Sequence, residues 1–435
     1  GGAVTQNAAA TVTGATSVDA KGFDVSLDAK GNDLNTVSAN ANNLSIADGK
    51  GGVVLDQITA TGNTSVSSLG GAITQTEAGV ISASNGTTTL SASVEGIAAN
   101  VTLANAGNDF KSIGVTGDAV SITDKTGVAL DAITANSLKL QAGGDVTQNA
   151  AATVTGVTSV DAGTNAVALT QAGNDFGNLG VTGGSVSITD TNAVALDAVK
   201  ANSLTVKAGG AVTQVADKAL EVTGATSVDA GANAVTLANA NNDFGSIGVT
   251  AGAASITDKN AVALDTIKAA SLNVKAVGAV TQVADKALEV TGETSLDAGA
   301  NVVTLGNAGN DFNTVAITAG AASITDKNAV ALDNIKAASL TVKAGGDVSQ
   351  VADKALDVTG ATSVDAGTNA VTLANTGNDF GRIGVIAGAA SITDKDDVAL
   401  DEVKATSLTL KAGGSVTQNA AATVTGATSG DAKGF

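Results

Sequence analysis

The feature that most constrains this chain is its self-similarity. The string AGGxVTQ, with small variations, ends at Gln148, Gln214, Gln282, Gln350 and Gln418, a spacing of about 68 residues. Looser copies end at Gln6 and Gln75. The string NDF ends at Phe110, Phe176, Phe244, Phe312 and Phe380, with the same spacing. A fixed period of this length marks a repeat architecture, in which each unit buries its apolar face only against its neighbours.

Each such unit divides again. Residues 227–245, 246–270 and 271–294 begin SVDAGANAVTL, SIGVTAGAASITD and SLNVKAVGAVTQ. From Ser17 to Ser429 this skeleton gives about 18 sub-repeats of about 23 residues each. Within a sub-repeat Val228 and Ala230 flank Asp229, Ile247 and Val249 flank Gly248, and Leu272 and Val274 flank Asn273. That period of two, rich in Val, Ile and Thr, is the pattern of strands with one buried face. Gly, Asn and Asp between the runs supply bends, since they tolerate left-handed backbone angles. The fold class expected is therefore all-β: a parallel β-solenoid of about 18 coils, three coils to each super-repeat of about 68 residues. Strands stacked about 4.8 Å apart would make a rod of roughly 85–90 Å. The segments VADKALEV at 215–222 and VADKALDV at 351–358 carry helical propensity. Eight residues are too few for a stable helix, so a local helical turn is the alternative there.

One continuous solenoid over 1–435 is the expected domain organisation, with degenerate repeats at 24–100 and regular ones at 203–418. Residues 1–23 and 413–435 differ only at Ala3 against Ser415 and Val18 against Gly430. Two readings of that identity stay open: a window cut from a longer covalent array, favoured by the absence of a starting Met and a signal peptide, or subunits that pair end to end through uncapped strand edges.

Two sets of recurrent side chains are candidate structural sites. An aliphatic residue is followed by Thr189, Thr213, Thr236, Thr257, Thr281, Thr304, Thr325, Thr372, Thr393 and Thr417, and upstream by Thr102, Thr123 and Thr147. With coils of the length given above these would stack as an outward ladder, each contact contributing a few tenths of a kcal/mol. An ice-binding face would need a second threonine column, and Leu237, Asp258 or Gln282 stands there instead. The recurrent Phe110, Phe176, Phe244, Phe312 and Phe380 are expected at one core corner, beside bends such as Asn174–Asp175.

Composition narrows the chemistry. The chain has no His, Cys, Met, Trp, Tyr or Pro, one arginine (Arg382) and a net charge of −19. Such a charge repels nucleic-acid phosphates, so no nucleic-acid partner is expected. Without Cys there is neither a disulfide framework nor a thiolate metal site. The longest apolar runs are far short of a membrane-spanning helix, so no membrane insertion is expected. Sugar-cleaving sites on β-helices gather carboxylates with charge-stabilising partners. Here Asp131, Asp197, Asp265, Asp333 and Asp401 recur in the ALD string three coils apart, about 14 Å, which reads as solvated edge residues rather than a catalytic pair. No catalytic activity and no resident cofactor are expected. Calcium is the one ion the acidic bends would suit, though the GGxGxDxUx nonapeptide is absent.

The string SLTVKAGGAVTQ at 203–214, with the NDF-plus-aliphatic string, resembles repeats of filamentous-haemagglutinin-type exoproteins, and the resemblance covers essentially the whole chain. It implies a right-handed parallel β-helix shaft of a large bacterial adhesin, secreted through an outer-membrane partner or as an autotransporter. The expected role is an extracellular structural fibre on the cell surface or in a biofilm matrix, self-associating end to end or laterally. The alternative is a module that binds polysaccharide or a cell-surface receptor with one face of the rod.

Overall fold

A computed structural model describes residues 1–432. The described residues form 41 β-strands and no helix, and nearly all pairings are parallel. The chain is a β-solenoid that divides into two compact units, Gly1–Val222 and Thr223–Phe435.

In Thr223–Phe435 the coil can be followed residue by residue. Strand Val330–Ala344 bends twice and so serves three faces. Its residues Val330–Leu332 pair with Val348–Gln350, Ile335–Ala337 with Leu356–Val358, and Leu340–Lys343 with Thr362–Asp365. Alternation then decides burial: Val330, Leu332, Ile335, Ala337, Leu340 and Val342 are inside, while Lys336, Thr341 and Lys343 point out. Each Val, Leu or Ile so enclosed contributes ~1.5–3 kcal/mol relative to exposure, which is why a thin core of small aliphatics suffices when every coil repeats it.

The coils are shorter than the sequence spacing suggested. One column runs through the interior at Val280, Val303, Ala322, Leu340, Thr362, Ile383 and Leu400 and ends at the exposed Gln418. Its members lie on average about 20 residues apart. In Gly1–Val222 the column Leu138, Thr158, Leu179, Leu196, Gln214 steps similarly. The longer coil expected from the sub-repeats, three to each super-repeat and about 18 in all, is thus corrected: the coils are shorter and more numerous. The cause is visible in the strands: one aliphatic run wraps two or three faces instead of one. From Leu272, three steps lead through Thr294 and Val315 to Leu332. The equivalent residue one repeat on is Leu340, eight residues further and on another face. Neighbouring repeats therefore present the same string on different faces.

Gly1–Val222 contains a local departure from parallel pairing. Gly70–Gly71, Ser93–Val94 and Ile97–Ala98 pair antiparallel, with Glu95 and Gly96 turning at φ 51° and 81°. This lies in the degenerate stretch 24–100.

Candidate functional site

The most elaborate constellation recurs at one corner of the coil and joins strings that are far apart in sequence. In the repeat around residue 310, Asn310 is fully buried. Its Oδ1 accepts from Gln282 Nε2 (2.6 Å) and from the Leu288 amide (3.0 Å). Its Nδ2 donates to Gln282 Oε1 (3.2 Å), Leu305 O (3.2 Å) and Thr325 O (3.3 Å). One amide thus ties three successive coils. Two residues on, Phe312 fills the corner, 1% exposed, and stacks on Val290, which stacks on Ala269. The Phe312 amide donates to Asp326 Oδ2 (2.6 Å), and Asp326 Oδ1 accepts from the Asn328 amide (2.8 Å). Buried polar groups require partners, and here side chains supply acceptors and donors where the strand ladder leaves the corner.

The same parts recur. Gln6–Asn32, Gln75–Asn108, Gln148–Asn174 and Gln350–Asn378 are reciprocal amide pairs of 2.5–3.1 Å. Asp124, Asp190, Asp258 and Asp394 accept from the amides of Phe110, Phe176, Phe244 and Phe380, and Asp48 accepts from Leu34. Burial pushes the carboxyls of Asp48, Asp124, Asp190, Asp258, Asp326 and Asp394 above the ordinary carboxylate range, against the lowering effect of the two amide donors. The five corner phenylalanines are 0–1% exposed, each at the start of a strand.

Outside the corner, the surface is lightly paired. The second residue of NDF, at Asp109, Asp243, Asp311 and Asp379, meets Lys125, Lys259, Lys327 and Lys395 at 2.9–3.0 Å. Lys327 holds the Asp311 carboxyl below the usual range, and Lys259 does the same for Asp243. Of the ALD aspartates, Asp197, Asp265 and Asp333 meet Lys218, Lys286 and Lys354, Asp401 meets Arg382, and Asp131 accepts from Asn149. Among the described residues no group of three or more acidic side chains is placed to hold a metal ion. The VADK segments make a tight turn, not a helical one: Asp217, Asp285 and Asp353 sit at φ 59–61°, and the amides of Lys218, Lys286 and Lys354 donate back to the carbonyls of Val215, Val283 and Val351.

The threonines do not make one ladder, which corrects the expectation. Thr304 stacks with Ser323, Thr341 and Ser363, and Thr372 with Ser391, Thr409 and Ser429. Thr236 meets Ser255 and then Asn273. Thr257, Thr325 and Thr393 meet Lys275, Lys343 and Lys411, and Thr189 meets Lys207. Thr213, Thr281 and Thr417 lie over Ala195, Ala263 and Ala399. The reason is the coil length, which varies: from Thr304 the coil closes on Ser323, two residues short of Thr325, so that threonine is carried across the face, whereas between Val280 and Val303 the coil matches the threonine step. Thr281 and Thr304 do come together, lining an open groove of about 570 Å³ with Gln282, Asp285, Gly306 and Asn307. A second groove, about 350 Å³, has a mostly apolar lining that includes Val120, Leu138 and Val157, with Thr102, Ser121 and Lys139 among its polar residues. Thr393 is covered, 8% exposed, although it stands between the inward Ile392 and Asp394.

Sequence reasoning missed the glutamine–asparagine clamp and the buried aspartate. The signal was present: Asn follows Gln at a nearly constant remove, as in Gln148–Asn174 and Gln282–Asn310, and Asp follows Phe at the same remove in every regular repeat. A solvated bend would not hold such spacings constant. It also missed the inward threonines Thr158, Thr226, Thr294 and Thr362, whose buried hydroxyls have no hydrogen-bond partner among the described residues.

No curated protein and no solved structure gives a significant match to the chain. Residues 1–40, 41–116, 117–182, 183–250, 251–319, 319–386 and 387–434 match, one after another, the model of a family described as repeats of unknown function (DUF5649), and the chain belongs to that family.

Proposed function

We propose that this protein is a structural element, the β-helical shaft of a bacterial surface adhesin or matrix filament, acting outside the cell by length, stiffness and repeated surface rather than by turnover. The observation that carries this reading is the corner assembly. The most regularly recurring polar side chains, Gln, Asn and Asp, are committed to bonds between coils. Chemistry on a substrate would instead require such groups to converge on open space. Family membership as tandem repeats supports it, because stacked repeats build extended elements whose stability adds up coil by coil. Fibres would form by self-association, end to end or laterally. The test is immunogold electron microscopy of the source cells with antibody to this chain. Label on filaments projecting from the surface is expected; label confined to the cell interior would refute the reading.

A second reading, a module that binds polysaccharide or a receptor with one face, is favoured by the groove at Thr281–Thr304, to which Gln282, Asp285 and Asn307 add polar side chains. Selective retention of one glycan class by the purified chain on a glycan array would promote it, and a blank array would demote it.

A further inference from the structure

We infer that Asn85 is a self-modifying site of the folded chain, losing its side-chain amide through attack by the Gly86 nitrogen. The corner glycine of the regular repeats follows threonine, as in Thr155–Gly156, Thr291–Gly292 and Thr359–Gly360. In the degenerate stretch the preceding residue is Asn85, and Asn85–Gly86 is the one Asn-Gly pair in the chain. Three observations make it reactive in place. Strand Ile81–Val94 shifts register between Ala83 and Thr87, one residue more than the shift between Val154 and Val157, so neither Asn85 nor Gly86 is held in the ladder. Asn85 is exposed, and among the described residues its side-chain amide has no hydrogen-bond partner. Glycine is fixed at 86 because a Cβ there would run into Gly62 O. The residue that leaves the nitrogen least hindered thus cannot be exchanged for a protective one.

The chemistry balances without a cofactor. Gly86 N bonds to Asn85 Cγ, the Cγ–Nδ2 bond breaks, and ammonia leaves carrying the Gly86 proton. Water then opens the five-membered imide at either carbonyl, giving aspartate, or isoaspartate with the chain rerouted through the β-carbon. Either product places a new carboxylate beside Lys111, whose Nζ already donates to Asn85 O at 3.3 Å. Rerouting also lengthens the backbone at a corner that pairs with Asp109–Thr116 on one side.

The experiment incubates the whole folded chain in warm, mildly alkaline water enriched in heavy oxygen and maps peptides by mass spectrometry. Asn85 should acquire labelled aspartyl and isoaspartyl forms at least about tenfold faster than Asn149 or Asn419, which precede alanine. Asn85→Thr, the residue used at the other corners, should abolish labelling there while circular dichroism stays unchanged. Conversion of Asn85 no faster than Asn149, or conversion only after denaturant is added, would overturn the assignment.

Discussion

Replacing Asn310 by alanine should be among the most damaging single polar truncations in Thr223–Phe435, equalled by the identically bonded Asn378, and its cost can be worked from the geometry. Five hydrogen bonds disappear. The two to Gln282 are partly recovered by water, since that side chain is half-buried. The carbonyls of Leu305 and Thr325 each lose a bond worth ~1 kcal/mol net. The Leu288 amide sits behind a fully buried side chain and becomes an orphan donor, costing ~1–3 kcal/mol. The total is about 3–5 kcal/mol, at the upper end of single-residue effects. In a solenoid such a loss opens the coils around it rather than the whole stack at once. Hydrogen exchange followed by mass spectrometry should therefore show faster exchange over 282–326, together with a lower urea midpoint. Asn313→Ala, at an exposed position three residues on, should change neither by more than about 0.5 kcal/mol. Equal behaviour of the two variants would refute the view that the clamp holds the coils in register.

Acidification should first strengthen the fold. The buried corner aspartates have raised folded-state values, so they bind protons before their unfolded counterparts, and the urea midpoint should rise as pH falls from neutral toward the carboxylate range. Below the ordinary value of 3.8, Asp243 and Asp311, lowered by Lys259 and Lys327, lose their contribution, and the midpoint should turn down. A midpoint that declines steadily from neutrality would contradict this. Thr294→Val or Thr362→Val should raise stability by about 1 kcal/mol in urea titration, because each removes a buried hydroxyl without a partner while keeping the branched shape. Gly381→Ala should destabilise by ~1–3 kcal/mol, its Cβ meeting Thr359 O, whereas Gly306→Ala, with open space and alanine at the equivalent Ala238 and Ala374, should be neutral in the same assay.

The solenoid was legible because its causes are local. Alternation at Leu272, Asn273 and Val274, and bends at Gly and Asn, write strands and corners directly into the chain. What was not legible is how many residues close one coil. That depends on whether a run such as Val330–Ala344 is one straight strand or three short ones, and corner geometry decides it. The error then propagated: threonines placed in one column by an overlong coil fall instead beside serine, lysine and alanine. The clamp was hidden for a related reason. Gln282 and Asn310 are neighbours only once the coil between them has closed, so neither string alone betrays the pairing. The corner phenylalanines were placed by their fixed slot, which needs no knowledge of coil length.

The sequence repeat is not a whole number of coils, and that mismatch has a consequence for folding fidelity. Tandem copies of nearly identical sequence invite a strand to dock onto the wrong copy, and identical strands stacked in register are the arrangement that seeds cross-β aggregates. Among the described residues of Thr223–Phe435 the stacking partner of a strand is not its own copy: Phe380 lies over Val358 and Ala337, and Leu340 over Ala322. A slip by one whole repeat would swing the strand to another face and pull the glutamine away from its asparagine. The chain can thus multiply one sequence many times while leaving each copy a single place to go.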